Sequence, residues 1–140
     1  MVVNPVQKCA NINWSSGYGW RTYFLNGQWV TDFHKAVDLA QYGGCEIVSV
    51  LKGASRKSWY AGNTVHIQHE NGFETKYGHG KNYNGEYPRE VKTGEYLMYM
   101  GSTGLKSSGD HLHLEVWKDN MYKNPYDYFQ KYIDLYPKIF

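Results

Sequence analysis

The apolar positions of this 140-residue chain fall in short runs cut by glycine, the pattern of strands rather than of helices. "CEIVSVLKG" (45–53) is β-rich and ends at a glycine, and "EYLMYMGSTG" (95–104) is a second apolar run stopped the same way. "NTVHIQHENGFETKYGHG" (63–80) holds two β-type runs around Asn71 and Gly72. A two-residue hairpin turn there would pair Glu70 with Phe73, Gln68 with Thr75, His66 with Tyr77 and Thr64 with His79, so that His66, Tyr77 and His79 share a face. In "GDHLHLEVW" (109–117), Leu112 and Leu114 alternate with His111, His113 and Glu115. A strand would turn the leucines one way and both imidazoles the other. One helix start stands out, "NPYDYFQKYI", where Asn124 can cap, Pro125 suits the first turn, and Phe129, Tyr132 and Ile133 form a short apolar stripe. The expected class is mainly β, an antiparallel sheet with surface loops and a short C-terminal helix packed on it. Residues 1–20, with "WSSGYGW", read as an N-terminal arm, and 129–140 as a C-terminal tail.

Size and composition narrow this frame. A chain of this length forms one domain with a real core. Its 15 basic and 13 acidic residues are interspersed, without the basic block expected of a nucleic-acid or membrane-surface protein. No apolar run approaches the ~18 residues of a membrane span, and "MVVNPVQKCA" lacks the charged start and apolar centre of a signal peptide. Cys9 and Cys45 are too few for a zinc ribbon. They fit either one bridge, valued at ~3–4 kcal/mol by loop entropy, or two unpaired thiols. Fourteen Tyr and five Trp are many. Such residues line sugar and peptide grooves, and they also simply pack small proteins.

Candidate chemistry enters with two spaced patterns. "FHKAVDLA" carries His34 and Asp38 as H-x-x-x-D, and "HLH" carries His111 and His113 as H-x-H. Either arises by chance often enough that it decides nothing alone. In a fully extended strand the Cα atoms of His34 and Asp38 would sit about 13 Å apart, too far to share an ion, so sharing one requires a turn between them. With an imidazole from "HLH" the set becomes His2Asp, three protein ligands and one open tetrahedral position, the arrangement of a catalytic rather than a structural zinc site. His66 and His69 read as surface or hydrogen-bonded core histidines. Glu115 suits either orienting an imidazole or closing a strand, and Tyr77 either polarising a carbonyl or packing.

Together these motifs resemble the lysostaphin-type (LytM-type) zinc metallopeptidases that cut peptidoglycan, with H-x-x-x-D early and H-x-H late. "GWR" (19–21) is similar to that family's G-x-R. "GNTVHIQHENGFETKYGH" resembles its central hairpin ending in Tyr-x-His, and "VKTGEYLMYMGSTGLKSSGDHLHLE" its glycine-rich run into the H-x-H strand. The likeness covers about residues 17–128. It departs at Ala36, where the family has glycine, and at Gly78 and Gly80 around His79, where Tyr-x-His-Leu is more usual.

The resemblance implies that His34, Asp38 and His113 bind one zinc ion per chain, with His79 and His111 as unligated catalytic imidazoles beside it. It implies a zinc endopeptidase of the bacterial cell wall acting on a stem or cross-bridge peptide of peptidoglycan. Such an enzyme would work outside the cell, secreted or phage-delivered, with no nucleic acid and no membrane insertion. Groove loops such as "GASRKSWYAGN" and "KNYNGEYPRE" would set which bond is cut. Two other classes remain: a non-catalytic wall-binding or activator module on the same fold, and a sugar-phosphotransfer protein using paired histidines.

Overall fold

A computed structural model of the chain describes residues 2–104 and 109–133, and side chains up to residue 129. Among the described residues, twelve strands and one helix follow in order: β1 (Asn13–Ser16), β2 (Gly19–Leu25), β3 (Gln28–His34), β4 (Val37–Ala40), β5 (Glu46–Val48), β6 (Gly53–Trp59), β7 (Asn63–Gln68), β8 (Phe73–Tyr83), β9 (Arg89–Val91), β10 (Tyr96–Met100), β11 (His111–Lys118), β12 (Met121–Lys123) and α1 (Tyr126–Ile133). The strands pair antiparallel throughout, as the expected mainly β class requires. The main sheet runs β1-β4-β11-β8-β7-β6-β9, with β10 on the far half of β8 and β5 beyond it, and β12 on the far half of β11. Strands β2 and β3 form a separate two-stranded sheet.

One face of the main sheet is the core. Leu112, Leu114 and Val116 from β11, Val37 and Leu39 from β4, Val65 and Ile67 from β7, and Tyr77 from β8 are all at most 2% exposed. Alternation on β11 therefore behaves as its sequence predicts: the leucines go inward, and His111, His113 and Glu115 go to the other face. Tyr77 is sealed in this core, where its hydroxyl accepts from Thr75 Oγ1 (2.8 Å) and the Val50 amide (3.1 Å). It packs, and the carbonyl-polarising role is excluded. Helix α1 starts as expected: Asn124 Oδ1 accepts from the Tyr126 amide at 3.0 Å, and Phe129 is buried. The helix takes in the first part of the expected tail. Residues 134–140 and the side chains of Tyr132 and Ile133 lie outside the described residues, as does 105–108 of the glycine-rich run.

Two expectations are corrected. The β7–β8 turn spans three residues, not two. His69 donates its amide to the Phe73 carbonyl at 2.8 Å, and Asn71 (φ 59°) and Gly72 (φ 77°) both adopt the left-handed conformation between them. The register is accordingly Gln68 opposite Glu74, His66 opposite Lys76 and Val65 opposite Tyr77. A one-residue slip exchanges the faces of a strand. His66 thus points away from Tyr77, into hydrogen bonding with Ser58 Oγ at 2.6 Å. The N-terminal segment is also more than an arm. Its β1 pairs with β4 along the sheet edge, and Val6, Ile12 and Trp14 belong to the core cluster.

Cys9 and Cys45 are bridged, with Cα atoms 5.4 Å apart. The bond closes a loop of 36 residues in sequence separation and pins that packed segment to the turn leading into β5. By loop entropy its removal should cost ~3–4 kcal/mol. Reduction is therefore expected to lower the melting temperature by on the order of 10 °C, measured by thermal unfolding with and without reductant. An unchanged melting temperature would show that core contacts alone hold the segment.

Candidate metal centre

On the face of β11 opposite the leucines, the chain gathers four imidazoles and a carboxylate. His34 ends β3 in the two-stranded sheet, and Asp38 stands in β4 of the main sheet. The Lys35–Ala36 step between them is the turn that H-x-x-x-D demands. Ala36 occupies it fully buried, and its φ is not among the positive ones, so the family's usual glycine is not needed at this position. Register then delivers the third side chain, since His113 lies directly opposite Asp38 on β4 and Gly78 on β8. A methyl group at Gly78 would come within 2.8 Å of Ala61 Cβ and 3.3 Å of His113 Cβ. Glycine at this position lets β8 lie close against Ala61 and His113. The fourth ring, His79, is placed by a break in alternation. Two residues after the inward-facing Tyr77, a regular strand would bury it in the core. Its φ of 63°, beside the register shift between Asn63 and Val65, turns it to the cleft instead.

The donor atoms of His34, Asp38 and His113 all lie within 4.8 Å of one another. His34 Nε2 is 3.4 Å from Asp38 Oδ2, and His113 Nδ1 is 3.5 Å from Asp38 Oδ1. Asp38 Oδ1 is buried and accepts no hydrogen bond among the described residues. A buried carboxylate oxygen costs free energy when unmatched, and here it faces His113 Nδ1 at 3.5 Å and His111 Nε2 at 3.9 Å, nitrogens of the kind that bind divalent zinc. The donor set fits such an ion. His79 and His111 stand alongside, with ring centroids 4.8 Å apart and His79 5.3 Å from His113. The structure thus brings together all five residues singled out in the sequence.

Each imidazole is steered by an acceptor outside the cluster. His34 Nδ1 contacts the Gly17 carbonyl at 2.9 Å, His79 Nδ1 that of Thr103 at 2.8 Å, and His111 Nδ1 that of Gly109 at 3.2 Å. A carbonyl can only accept, so each Nδ1 must carry the proton and each Nε2 is left for the cleft. His113 is reversed: its Nε2 meets Glu115 Oε2 at 2.7 Å, leaving Nδ1 for the site. Glu115 is 2% exposed and also accepts from Trp117 Nε1 (2.7 Å) and the Tyr60 hydroxyl (3.0 Å). It fixes the orientation of the His113 ring.

The electrostatics follow from this crowding. Burial alone would raise the Asp38 carboxyl, but the imidazoles of His113 and His34 outweigh it and hold the group well below the usual carboxylate range. Burial would lower His113, yet Asp38 and Glu115 on its two nitrogens raise it to about 9, so an incoming cation has a proton to displace. His79 is pushed down to about 4, chiefly by burial, and is neutral at physiological pH. His66 and His69 stay outside the cluster as hydrogen-bonded core histidines. His69 bridges the Lys52 carbonyl and Thr75 Oγ1, both at 2.8 Å.

The cleft over these groups has a volume of about 490 Å³. Beyond the five it is lined by Arg21, Tyr60, Ala61, Gly104 and Glu115. Of the two expected groove segments, "GASRKSWYAGN" is mostly strand β6 and reaches the cleft only through Tyr60 and Ala61. "KNYNGEYPRE" supplies the end of β8 and the start of β9 and does not line it. Arg21, in the "GWR" motif, is held by Asp32 (2.8 Å) and comes within 3.9 Å of Asp38 Oδ2. Tyr60 was legible only as part of an expected groove segment, with no signal for its bond to Glu115.

Comparison with known proteins adds the family. Residues 32–125 match Peptidase family M23. The chain is 34% identical over 115 residues to "DD-carboxypeptidase/endopeptidase Mpg" of Neisseria meningitidis, covering 79% of this chain and 26% of that protein. It spans about a quarter of the length of the curated relatives it matches. The fold is shared with the catalytic domain of lysostaphin from Staphylococcus simulans (TM-score 0.69, 24% identity, 83% of this chain and 90% of that one). A chain of the SpoIIIAH–SpoIIQ complex has it too (TM-score 0.77, 21% identity, 91% and 99%).

If Glu115 orients the His113 ring, Glu115→Gln should lower metal affinity about 10- to 100-fold while the protein stays folded. Titration against a competing chelator checks this, and unchanged affinity would reduce Glu115 to a satisfied buried carboxylate.

Proposed function

The chain belongs to Peptidase family M23, and from that premise we propose that it is a zinc-dependent endopeptidase hydrolysing peptide bonds in bacterial cell-wall peptidoglycan. The observation that carries the reading is the triplet of His34, Asp38 and His113 donors within 4.8 Å, with the Asp38 Oδ1 lone pairs unmatched. Three protein donors leave one position open for a reactant. Zinc held there would supply Lewis-acid chemistry, polarising a scissile carbonyl and making water acidic enough to attack near neutral pH.

The chain's own residues do the rest. His79, neutral and with Nδ1 committed to Thr103, offers Nε2 to take or return a proton. His111, tied by Nδ1 to Gly109, offers its Nε2 from the opposite strand. Once it has taken a proton at Nε2, either ring becomes an N–H donor suited to the developing oxyanion of a tetrahedral intermediate. Glu115 keeps His113 from rotating, and the Cys9–Cys45 disulfide suits work outside the cytoplasm.

Removing His113 takes away a ligand, whereas removing His111 or His79 takes away a proton-handling group from an assembled site. Zinc content and activity should therefore collapse together in His113→Ala. His111→Ala and His79→Ala should keep zinc while the rate falls by about 10² to 10⁴. The measurements are zinc per chain and new amino termini released from purified peptidoglycan. Zinc lost from His111→Ala but kept by His113→Ala would reverse the assignment of the two. Wall binding without any release of amino termini would favour the non-catalytic module.

A further inference from the structure

The β2–β3 hairpin has two faces of opposite character. Register places Trp20 opposite Phe33, Thr22 opposite Thr31 and Phe24 opposite Trp29, so these six side chains share one face. The other face carries Arg21 and Asp32 and turns toward the cleft, where Arg21 is a lining residue. The outer face is nearly all aromatic and bears no charge. Trp20 and Phe33 meet edge to face at 5.4 Å, and Phe24 and Trp29 at 5.2 Å. Trp20, Phe24 and Trp29 nevertheless remain 76%, 59% and 73% exposed, and none belongs to the core cluster. Cross-strand aromatic pairs stabilise a hairpin. That accounts for the pairing of the rings and leaves unexplained why broad indole surface stays in water.

We propose that this outer hairpin face is a docking platform for the glycan chain of peptidoglycan, an inference that rests on peptidoglycan being the substrate. The chemistry of the face selects the occupant. A pyranose chain presents apolar C–H faces that stack on aromatic rings, and polar substituents that hydrogen-bond. The face supplies both, with the Thr22 and Thr31 hydroxyls, 2.9 Å apart, between the two aromatic rungs. Trp20 and Phe24 stand four residues apart on one strand, about 13 Å, a span longer than one sugar ring. An anionic lipid surface would call for Lys or Arg on this face, and the vesicle arm of the test separates a neutral bilayer interface, which aromatic rings also suit. The hairpin that carries this face also carries Arg21 and His34 of the cleft on its other side, so a glycan chain bound here is held to an element that borders the cleft.

The test uses the whole chain and, as probe, glycan chains freed of their stem peptides, with binding followed by tryptophan fluorescence or calorimetry. The protein should bind these chains. The double variant Trp20→Ala/Trp29→Ala should bind about tenfold more weakly, whereas Trp29→Phe, which preserves the aromatic rung, should bind nearly as the original does. Hydrolysis of a soluble cross-linked peptide lacking glycan should be the same in all three. Equal binding by the original and the double variant, or no binding by either, overturns the proposal. So does Trp20-dependent binding to phosphatidylcholine vesicles, or Trp20-dependent dimerisation, in place of glycan binding. Glycan binding without peptide hydrolysis would leave the platform standing and remove the endopeptidase reading. Peptide hydrolysis without glycan binding would do the reverse.

Discussion

The registry of strand β11 between β4 and β8 is the constraint on which the site depends. Its leucines are pinned in the core, and its alternation forces His111, His113 and Glu115 onto the opposite face. Because the side-chain period of a strand is two, a slip of one residue against either neighbour would bury both imidazoles and expose the leucines. The hydrophobic cost of that error is ~1.5–3 kcal/mol per leucine, so the burial that stabilises the sheet also specifies where the ligands point. Asp38 benefits from the same registry. It lies directly across from His113 on β4, itself locked by Val37 and Leu39 in the core.

Placing a carboxylate beside four imidazoles in a half-enclosed cleft creates an electrostatic problem, which hydrogen bonds around the perimeter divide. Three backbone carbonyls and one carboxylate each hold one ring nitrogen, so the inward nitrogens are positioned by partners on the far side of each ring. The two negative groups flank His113 and keep a cationic charge favourable at that position. His79 sits farther from them and is dominated by burial, which keeps it neutral. Rings of the same type thus acquire different proton affinities from their surroundings, the condition under which one can bind a metal and another can move protons.

How much of this was legible in the chain depends on the range of the interaction. Alternation over 109–117, the turn implied between His34 and Asp38, and the Asn124 cap are local, and the structure reproduces each. The β7–β8 turn is local too, but Asn-Gly serves two- and three-residue turns alike, and the difference of one residue moved His66 to the other face. His79 reached the cleft only because its own φ is positive, a conformation that a non-glycine residue discloses in no sequence pattern. Tyr60, 55 positions from its partner Glu115, and Arg21, carried to Asp38 by a hairpin, are products of tertiary assembly that periodicity cannot report. The three family-motif departures have separate reasons: Ala36 needs no left-handed backbone, a Cβ at Gly78 would press on Ala61 and His113, and one at Gly80 would overlap Met98.

The candidate ligands are also divided between the two sheets. His34 closes the β2–β3 hairpin, while Asp38 and His113 belong to the main sheet. An isolated two-stranded hairpin is marginally stable by itself. Its attachments near the site include the Arg21 contacts to Ser16 and Asp38 and the His34 contacts to Gly17 and Asp38. An ion shared by the three ligands would therefore staple the hairpin to the main sheet as well as complete the centre. Ligand binding and hairpin position are one equilibrium in such a design.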